Sequence, residues 1–278
     1  MTDTVILNYV TFIYFTSFVL YLFRMIFLKE FWARLASFLA WTGFFAHTFA
    51  LILRWKASYN FGFGHAPLSN LYESLVFFAW SIIILYLTVE WRIKDKSLGA
   101  FVVPITFFTM AYASIAPGIN NRIEPLIPAL QSNWLTTHVV TCFMGYAAFT
   151  VAFGCGLLYL WKSGKEAKYS PMFAEKLPPL PALDLLIYQS AALGFVFLAI
   201  GIITGSVWAH YAWGAYWSWD PKETWSLITW LVYAIMIHAR YVRGWHGKRL
   251  AVLAVIGFVC MLFTYLGVNL LSSLHSYL

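Results

Sequence analysis

Hydrophobic residues fill eight long stretches of the chain, and short polar segments separate them. A helix needs about 20 mainly apolar residues to cross the hydrocarbon core of a bilayer, and the stretches have about that length. They cover residues 6–28, 35–53, 71–91, 98–115, 134–161, 185–208, 222–241 and 250–271. The pattern predicts an all-α polytopic membrane protein of about eight transmembrane helices, organised as a single integral membrane domain over residues 1–278.

The composition supports a membrane protein. The chain is 62% hydrophobic and 10% charged, whereas about a quarter of the residues of a soluble domain are charged. The first stretch follows no basic segment and seven more stretches come after it, so we expect a span and not a cleaved signal peptide. Cys142, Cys155 and Cys260 lie inside apolar stretches without a C-x-x-C motif. They are expected to pack within helices and not to form a redox or zinc site.

Positively charged residues are distributed unevenly between the two sets of loops. Fourteen of the 18 lysines and arginines lie at or after the ends of the first, third, fifth and seventh stretches, and four lie at or after the ends of the others. Because short loops rich in Lys and Arg remain in the cytoplasm, both termini are expected to be extracytoplasmic. Residues 162–184 are then a cytoplasmic connector. This topology explains the net charge of +7, which therefore indicates no nucleic-acid partner.

Residues 208–221, here called the aromatic segment, form an extracytoplasmic tryptophan-rich loop in this topology. Six aromatic residues fall within twelve positions, interleaved with small residues: Trp208, Tyr211, Trp213, Tyr216, Trp217 and Trp219. Aromatic residues are common at membrane interfaces, but a belt spreads them over many helix ends. The density found here favours a platform for a planar hydrophobic ligand, because flat rings provide large contact areas.

Two helix starts carry capping signals on the outer side. Asp220 is expected to cap the seventh helix, with Pro221 at its first position and Glu223 completing a capping box. Asn70 and Glu73 repeat the arrangement at the third helix. Capping is a sufficient structural reason for Asp220, and a direct chemical role for this residue stays open.

Haem is a planar ligand that combines aromatic contacts with axial imidazoles. His138 lies one turn into the fifth stretch at its outer end, and His275 follows the eighth stretch. The predicted topology therefore brings both imidazoles to the side of the aromatic segment. Each of them alone is more typical of a hydrogen-bonded interfacial residue, and their shared location favours a pair of iron ligands.

His238 lies at a different depth. It follows Lys222 by sixteen residues, which is roughly 24 Å along a helix, so it cannot bind the same iron as the outer pair. Ionisable residues inside spans are usually functional, although an interfacial role is equally compatible with its position. The sequence leaves open whether haem contacts the remaining candidates His47, His65 and His210. A glycine face in the sixth stretch, Gly194, Gly201 and Gly205, favours close helix packing over contact with a flat ligand.

The aromatic segment also carries a recognisable motif. It runs Trp213-Gly214-x-x-Trp217-x-Trp219-Asp220-Pro221-Lys222-Glu223 and resembles the WWD signature of haem-handling proteins in cytochrome c maturation. Residues 64–74 and 267–277 resemble the outer loop and the C-terminal end of the CcsA (ResC) family of system II cytochrome c biogenesis. The resemblance extends from about residue 40 onward. Ser272, Ser273 and Leu278 stand where that family usually has glycines around the terminal histidine.

The resemblance implies a function and roles for the site residues. In that family haem is presented outside between two histidines, here His138 and His275, with the tryptophans and Asp220 beside the porphyrin. His238 corresponds to one histidine of an internal haem site, and a CcsB (ResB)-like membrane partner supplies the other. The implied function is delivery of transiently, non-covalently bound haem b and its covalent attachment to the C-x-x-C-H motif of apocytochrome c.

The same resemblance implies a location and a division of labour. The chain is expected in the bacterial cytoplasmic membrane, or in the thylakoid membrane if it is plastid-encoded. It would be the haem-presenting subunit of a cytochrome c haem lyase complex, and whether it is itself an enzyme stays open. The alternatives are a CcmC-type haem chaperone that forms no thioether, a secondary transporter and a structural membrane subunit. Eight spans and the outer-loop segment argue against the first. The clustering of the notable residues at the outer face, instead of buried charges at mid-membrane depth, argues against a transporter, and the dense tryptophans argue against a structural subunit.

Overall fold

A computed structural model describes residues 2–164 and 177–270 of the chain. These residues form eight α-helices, which confirms the predicted all-α fold. The helices are α1 Thr2–Phe27, α2 Glu30–Asn60, α3 Leu71–Ile93, α4 Gly99–Ile115, α5 Asn133–Ser163, α6 Leu180–Trp213, α7 Pro221–Arg243 and α8 Lys248–Tyr265. Two short 3-10 helices, Pro128–Leu130 and Gly267–Leu270, precede α5 and follow α8.

Six of the helices in the described ranges, α1, α2, α3, α5, α6 and α8, are long and apolar enough to cross a membrane. Helix α4 is apolar but has 17 residues, with Pro104 inside it. Helix α7 has 23 residues, among which Thr, Ser, Trp, His and Arg dilute the apolar ones. The chain is therefore a multi-pass membrane protein, and the side of the membrane on which each terminus lies remains a prediction.

The chain divides into two compact units, one containing α1 to α4 and the other α5 to α8. Within the single integral membrane domain expected over residues 1–278, the structure distinguishes these two compact units. Residues 165–176 of the expected connector 162–184 lie outside the described residues. Helix α5 extends to Ser163 and α6 begins at Leu180, so both ends of the expected connector are helical.

Buried polar contacts hold the first unit together. The Tyr14 hydroxyl lies 3.3 Å from Nδ1 of His47 between α1 and α2. At the end of the unit where α3 begins, Arg54 donates to Glu73 at 2.7 Å and to Asp3 at 3.0 Å. All three charged side chains are at least nine-tenths buried. Charges inside a span are tolerated when they pair in this way, so the cluster joins α1, α2 and α3.

Small residues bring the helices of the second unit close together. Gly145 of α5 faces the backbone of α6 at Gly194, and Gly156 faces the backbone of α8 at Ala251. Absence of side chains at such positions lets helix backbones approach closely in membranes. The antiparallel helices α5 and α6 therefore form a tight pair, and this pair supports the candidate site.

Candidate functional site

The aromatic segment begins as a helix and ends as a loop. Helix α6 continues through Trp213, so the first six residues of the expected loop 208–221 are helical. Gly214 ends the helix in a left-handed conformation with φ 78°, and its N–H donates to the carbonyl of His210 at 2.9 Å. Glycine adopts this conformation without a steric penalty. Only residues 214–220 are therefore non-helical between α6 and α7.

The non-helical part folds back onto the end of α6. The Ser206 hydroxyl donates to the carbonyl of Tyr216 at 2.8 Å, and the rings of His210 and Tyr216 stack at 4.2 Å with 4° between their planes. Trp217 and Trp219 meet edge to face at 5.6 Å. The Trp219 side chain remains 69% exposed, so the loop presents a large aromatic surface.

Asp220 caps α7 as predicted. Its carboxylate accepts from the N–H of Lys222 at 2.9 Å, and the Glu223 carboxylate accepts from the N–H groups of Asp220 at 3.2 Å and Ser218 at 2.8 Å. This reciprocal arrangement confirms the capping box. Because Glu223 also holds Ser218, the cap fixes the end of the aromatic loop against the start of α7. A direct chemical role for Asp220 remains a proposal.

His138 lies in the second turn of α5 with a defined tautomer. Its Nδ1 is 2.7 Å from the carbonyl oxygen of Gly201 in α6. A carbonyl oxygen only accepts hydrogen bonds, so Nδ1 carries the proton and the lone pair of the neutral ring is on Nε2. Metal-binding histidines usually donate their other ring N–H to a carbonyl or carboxylate in this way. The His138 imidazole therefore fits the chemistry of a haem iron ligand.

The imidazole of His138 is packed from two sides. It lies against the Trp208 ring, with 6.0 Å between centroids and 18° between planes. Trp208 is 4% exposed and donates its indole N–H to the carbonyl of Ala129 at 2.8 Å. The ring centroids of Trp208 and Trp213 are 4.8 Å apart. The absence of a side chain on Gly205 leaves room for the imidazole ring, because a Cβ at that position would be 2.5 Å from Nδ1 of His138.

The glycine face of α6 serves helix packing, as expected from the sequence. A Cβ on Gly194 would meet Phe149 and the backbone of Gly145, and a Cβ on Gly201 would be 2.6 Å from the sulfur of Cys142. Cys142 also lies 3.7 Å from Nδ1 of His138. This thiol is a neighbour of the site that the sequence did not predict, and it is buried.

His238 lies far from this site along α7. The helix is continuous from Pro221 to Arg243, so the sixteen residues between Lys222 and His238 correspond to about 24 Å. Its side chain is exposed and makes no hydrogen bond within the part of the chain that the structure describes. The separation expected from the sequence is thus present. His275 lies outside the described residues, and its pairing with His138 remains a prediction.

The other histidines have protein partners or lie on the surface. His47 is fully buried beside Tyr14, and both ring nitrogens of His65 are 2.9 Å from backbone carbonyls. His210 is exposed and stacked on Tyr216. Among the described residues, no group of three or more His, Cys, Asp or Glu side chains could hold a metal ion.

Comparison with known proteins identifies the family. The family model described as "Cytochrome C assembly protein" matches residues 68–275, which include α5, α6 and the aromatic segment. The cytochrome c biogenesis protein CcsA of Pyropia yezoensis is 39% identical over 282 residues, covering 88% of this chain and 87% of that protein. The chain belongs to the CcsA family of cytochrome c assembly proteins. It is therefore a membrane protein of cytochrome c biogenesis.

Other similarities agree with CcsA membership. CcsA of Chlamydomonas reinhardtii is 44% identical over 236 residues, covering 82% of this chain but 64% of the relative. CcsA of Trieres chinensis is 42% identical over 244 residues, covering 77% of this chain and 78% of the relative. A solved structure of "Cytochrome c Heme Lyase CcmF" has a TM-score of 0.72 at 16% identity, covering 95% of this chain and 46% of that chain. This last similarity concerns the fold.

Proposed function

We propose that this CcsA-family chain presents haem at the extracytoplasmic face and positions it for covalent attachment to apocytochrome c. It would act as the haem-presenting subunit of a system II synthase, with a CcsB-like membrane partner. The observation that carries the proposal is the His138 imidazole, whose tautomer is fixed by Gly201 and whose ring lies against Trp208. This ligand-competent ring is therefore next to the aromatic segment.

The proposed haem contacts follow from this arrangement. His138 would bind the iron through Nε2, and His275 would supply the second axial imidazole. The rings of Trp213, Trp217 and Trp219 would line the porphyrin, since they follow Trp208 on the same segment and Trp219 is exposed. Asp220 would act through its cap, which holds the end of the loop.

Thioether formation between apocytochrome c and haem depends more on positioning of the reacting groups than on acid–base catalysis. Each cysteine thiol of the C-x-x-C-H motif adds across a haem vinyl group, so that sulfur bonds to one vinyl carbon and the thiol proton ends on the other. Neither bond change requires an oxidant. Holding the reacting groups together can lower the barrier by about 7–11 kcal/mol. A fixed imidazole and rigid aromatic walls supply that kind of restraint.

His238 would belong to a second, inner haem site. Its distance from the start of α7 excludes a shared iron with His138, and its exposed side chain is accessible to an imidazole from a CcsB-like partner. Haem b would be held there without covalent bonds before it reaches the outer site. We place the complex in the bacterial cytoplasmic membrane, or in the thylakoid membrane where the chain is plastid-encoded.

The test co-expresses this chain with a CcsB-like partner and a C-x-x-C-H cytochrome. His138→Ala should reduce both the Soret absorbance of the purified complex and the haem-stained cytochrome, and added imidazole should restore part of each. Thr137→Ala, at an exposed neighbouring position, should behave like the wild type. Normal haem content and yield in His138→Ala would contradict the ligand assignment.

A second experiment separates attachment from simple transfer. The purified complex is supplied with reduced haem and an apocytochrome peptide, and thioether formation is followed by mass spectrometry after acid extraction of non-covalent haem. A synthase gives a peptide whose mass includes the haem. Transfer of haem that remains fully extractable would instead support the CcmC-type chaperone alternative.

A further inference from the structure

The last turns of α7 carry His238 and Tyr241 on one exposed face. The two residues are three positions apart, so their side chains are neighbours on the surface of the helix. His238 is exposed, and Tyr241 is 74% exposed. Tyr241 lies about 4.5 Å farther along the helix axis, toward the end of α7. The inner haem site proposed at His238 therefore has an accessible phenol hydroxyl beside it.

A hydrogen bond determines how the Tyr241 hydroxyl can be used. The Tyr188 hydroxyl of α6 donates to the Tyr241 hydroxyl at 2.7 Å, and the two rings meet edge to face with 5.8 Å between their centroids. A tyrosine hydroxyl has one proton to donate. Because Tyr241 accepts from Tyr188, its own proton remains available to an acceptor on a ligand.

Arg240 holds Tyr188 in position. Its guanidinium carbon lies 4.5 Å from the centroid of the Tyr188 ring, and its Nη1 donates to the Asp184 carboxylate at 2.8 Å. The same carboxylate accepts from the N–H of Gly247 at 2.6 Å. Asp184 thus joins the start of α6, the end of α7 and the segment that leads into α8. The pair of tyrosines therefore has a defined position before any ligand binds.

The charges at this end of the second unit favour an anionic ligand. Asp184 is the one carboxylate that the described residues place there, and Arg240 and Gly247 already bind it. The basic residues at the same helix ends are Lys162, Arg240, Arg243, Lys248 and Arg249. An excess of positive charge raises the local concentration of anions, so a carboxylate is the type of acceptor expected beside Tyr241.

We infer that the Tyr241 hydroxyl binds a propionate carboxylate of the haem held at His238. The inference rests on the inner haem site proposed above and names a residue that orients haem there. Haem carries its two propionates on one edge of the macrocycle, and carboxylates are costly in the hydrocarbon core of a bilayer. The propionate edge should therefore point toward the end of α7, where Tyr241 lies. A hydrogen bond to a charged acceptor at that edge would prevent rotation of the porphyrin about the bond between iron and imidazole.

The experiment compares two ligands in the complex of the full chain with a CcsB-like partner. His138→Ala is the parent, so that haem at the outer site does not contribute. Binding of haem and of haem dimethyl ester, in which both propionates are esterified, is followed by Soret titration. The variants are Tyr241→Phe and Tyr188→Phe. Tyr9→Phe in α1 is the matched control, because Tyr9 is similarly exposed at 67%. For each ligand the affinity is divided by that of the parent, which cancels the different solubilities of the ligands.

Tyr241→Phe should bind haem about tenfold more weakly than the parent, since a hydrogen bond to a charged group contributes about that much affinity. Its affinity for the ester should be unchanged. Tyr188→Phe should show a smaller loss that is also confined to haem, and Tyr9→Phe should show none. Equal losses for haem and ester would mean that Tyr241 only packs the helices. No loss for either ligand would make it an interfacial anchor, and each of these two results would overturn the inference.

His238→Ala in the same parent distinguishes this inference from the inner site on which it rests. Loss of haem in His238→Ala together with an unchanged Tyr241→Phe would leave the inner site in place and refute the role of Tyr241 alone. Parental haem affinity in His238→Ala would show that the proposed inner site is wrong, and the inference about Tyr241 would be refuted with it.

Discussion

The packing of Gly205 against His138 predicts a sharp effect of a single methyl group. In Gly205→Ala the new Cβ would be 2.5 Å from Nδ1 and 2.6 Å from Cε1 of His138, whereas ordinary contacts are 3.4–4 Å. The imidazole must therefore recede by about 1 Å, a misplacement that can cost about 100-fold in rate at a catalytic site. The same shift would lengthen the 2.7 Å bond to Gly201 beyond hydrogen-bond distance.

The helix itself should tolerate the change. Overpacking costs about 1–3 kcal/mol, and replacing an interior helical glycine with alanine returns up to about 1 kcal/mol. The expected loss of stability is thus small compared with the loss of ligand geometry. We expect Gly205→Ala to reach the membrane in normal amounts while haem content and cytochrome yield fall strongly, with partial recovery in added imidazole.

The control is Gly194→Ala, which crowds the same helix against Phe149 instead of His138. It should lower thermal stability without changing the haem spectrum of the protein that folds. Haem content is measured by Soret absorbance of the complex co-expressed with its partner, and yield by haem stain. Wild-type values in Gly205→Ala, or equal losses in both variants without imidazole rescue, would refute the argument that Gly205 positions His138.

Changes at four further positions test other parts of the molecule. Trp219→Ala should reduce haem content without affecting membrane insertion, and unchanged content would exclude this ring from the site. Asp220→Ala should destabilise the start of α7 by about 1 kcal/mol while Asp220→Asn keeps the cap; abolished haem binding in folded Asp220→Asn would reveal a direct role. His238→Ala should lose haem in complexes with the partner, and full outer-site occupancy would contradict the relay. Glu73→Leu should lower stability by about 3–5 kcal/mol because it leaves Arg54 under-paired, as thermal unfolding would reveal.

Six of the described helices are long apolar stretches and were therefore predictable, whereas the exact ends of the helices could not be read from the local pattern. The second stretch was expected to end at residue 53, before Arg54, but α2 continues to Asn60. Arg54 remains inside the helical unit because Asp3 and Glu73 neutralise it. In the sequence, Asp3 is 51 positions and Glu73 is 19 positions away from Arg54. Hydropathy alone therefore could not indicate this pairing. Likewise, the sixth stretch was expected to end at residue 208, but α6 continues to Trp213 because no residue before Gly214 ends the helix.

Some features of the candidate site could likewise be predicted from the sequence, and others could not. The Asp220 cap could be predicted because its partners lie within a few positions, and capping signals are local. His138 and Trp208 could be singled out by residue type and topology. The hydrogen bonds that hold these two side chains could not be predicted. The Gly201 carbonyl is 63 positions from His138, and the Ala129 carbonyl is 79 positions from Trp208. Backbone acceptors carry no residue-specific signal, so only the fold reveals them.

Helix α7 sets the spacing that any route for haem must cover. Its first turn is tied to the aromatic loop through Asp220 and Glu223, and its opposite end is tied to α6 by the Arg240 to Asp184 ion pair at 2.8 Å. A helix fixed at both ends cannot carry His238 toward the aromatic loop by sliding. Haem that binds at His238 must therefore move about 24 Å to reach the start of α7. The proposed relay thus requires transfer between two separate sets of ligands and excludes one imidazole that serves both.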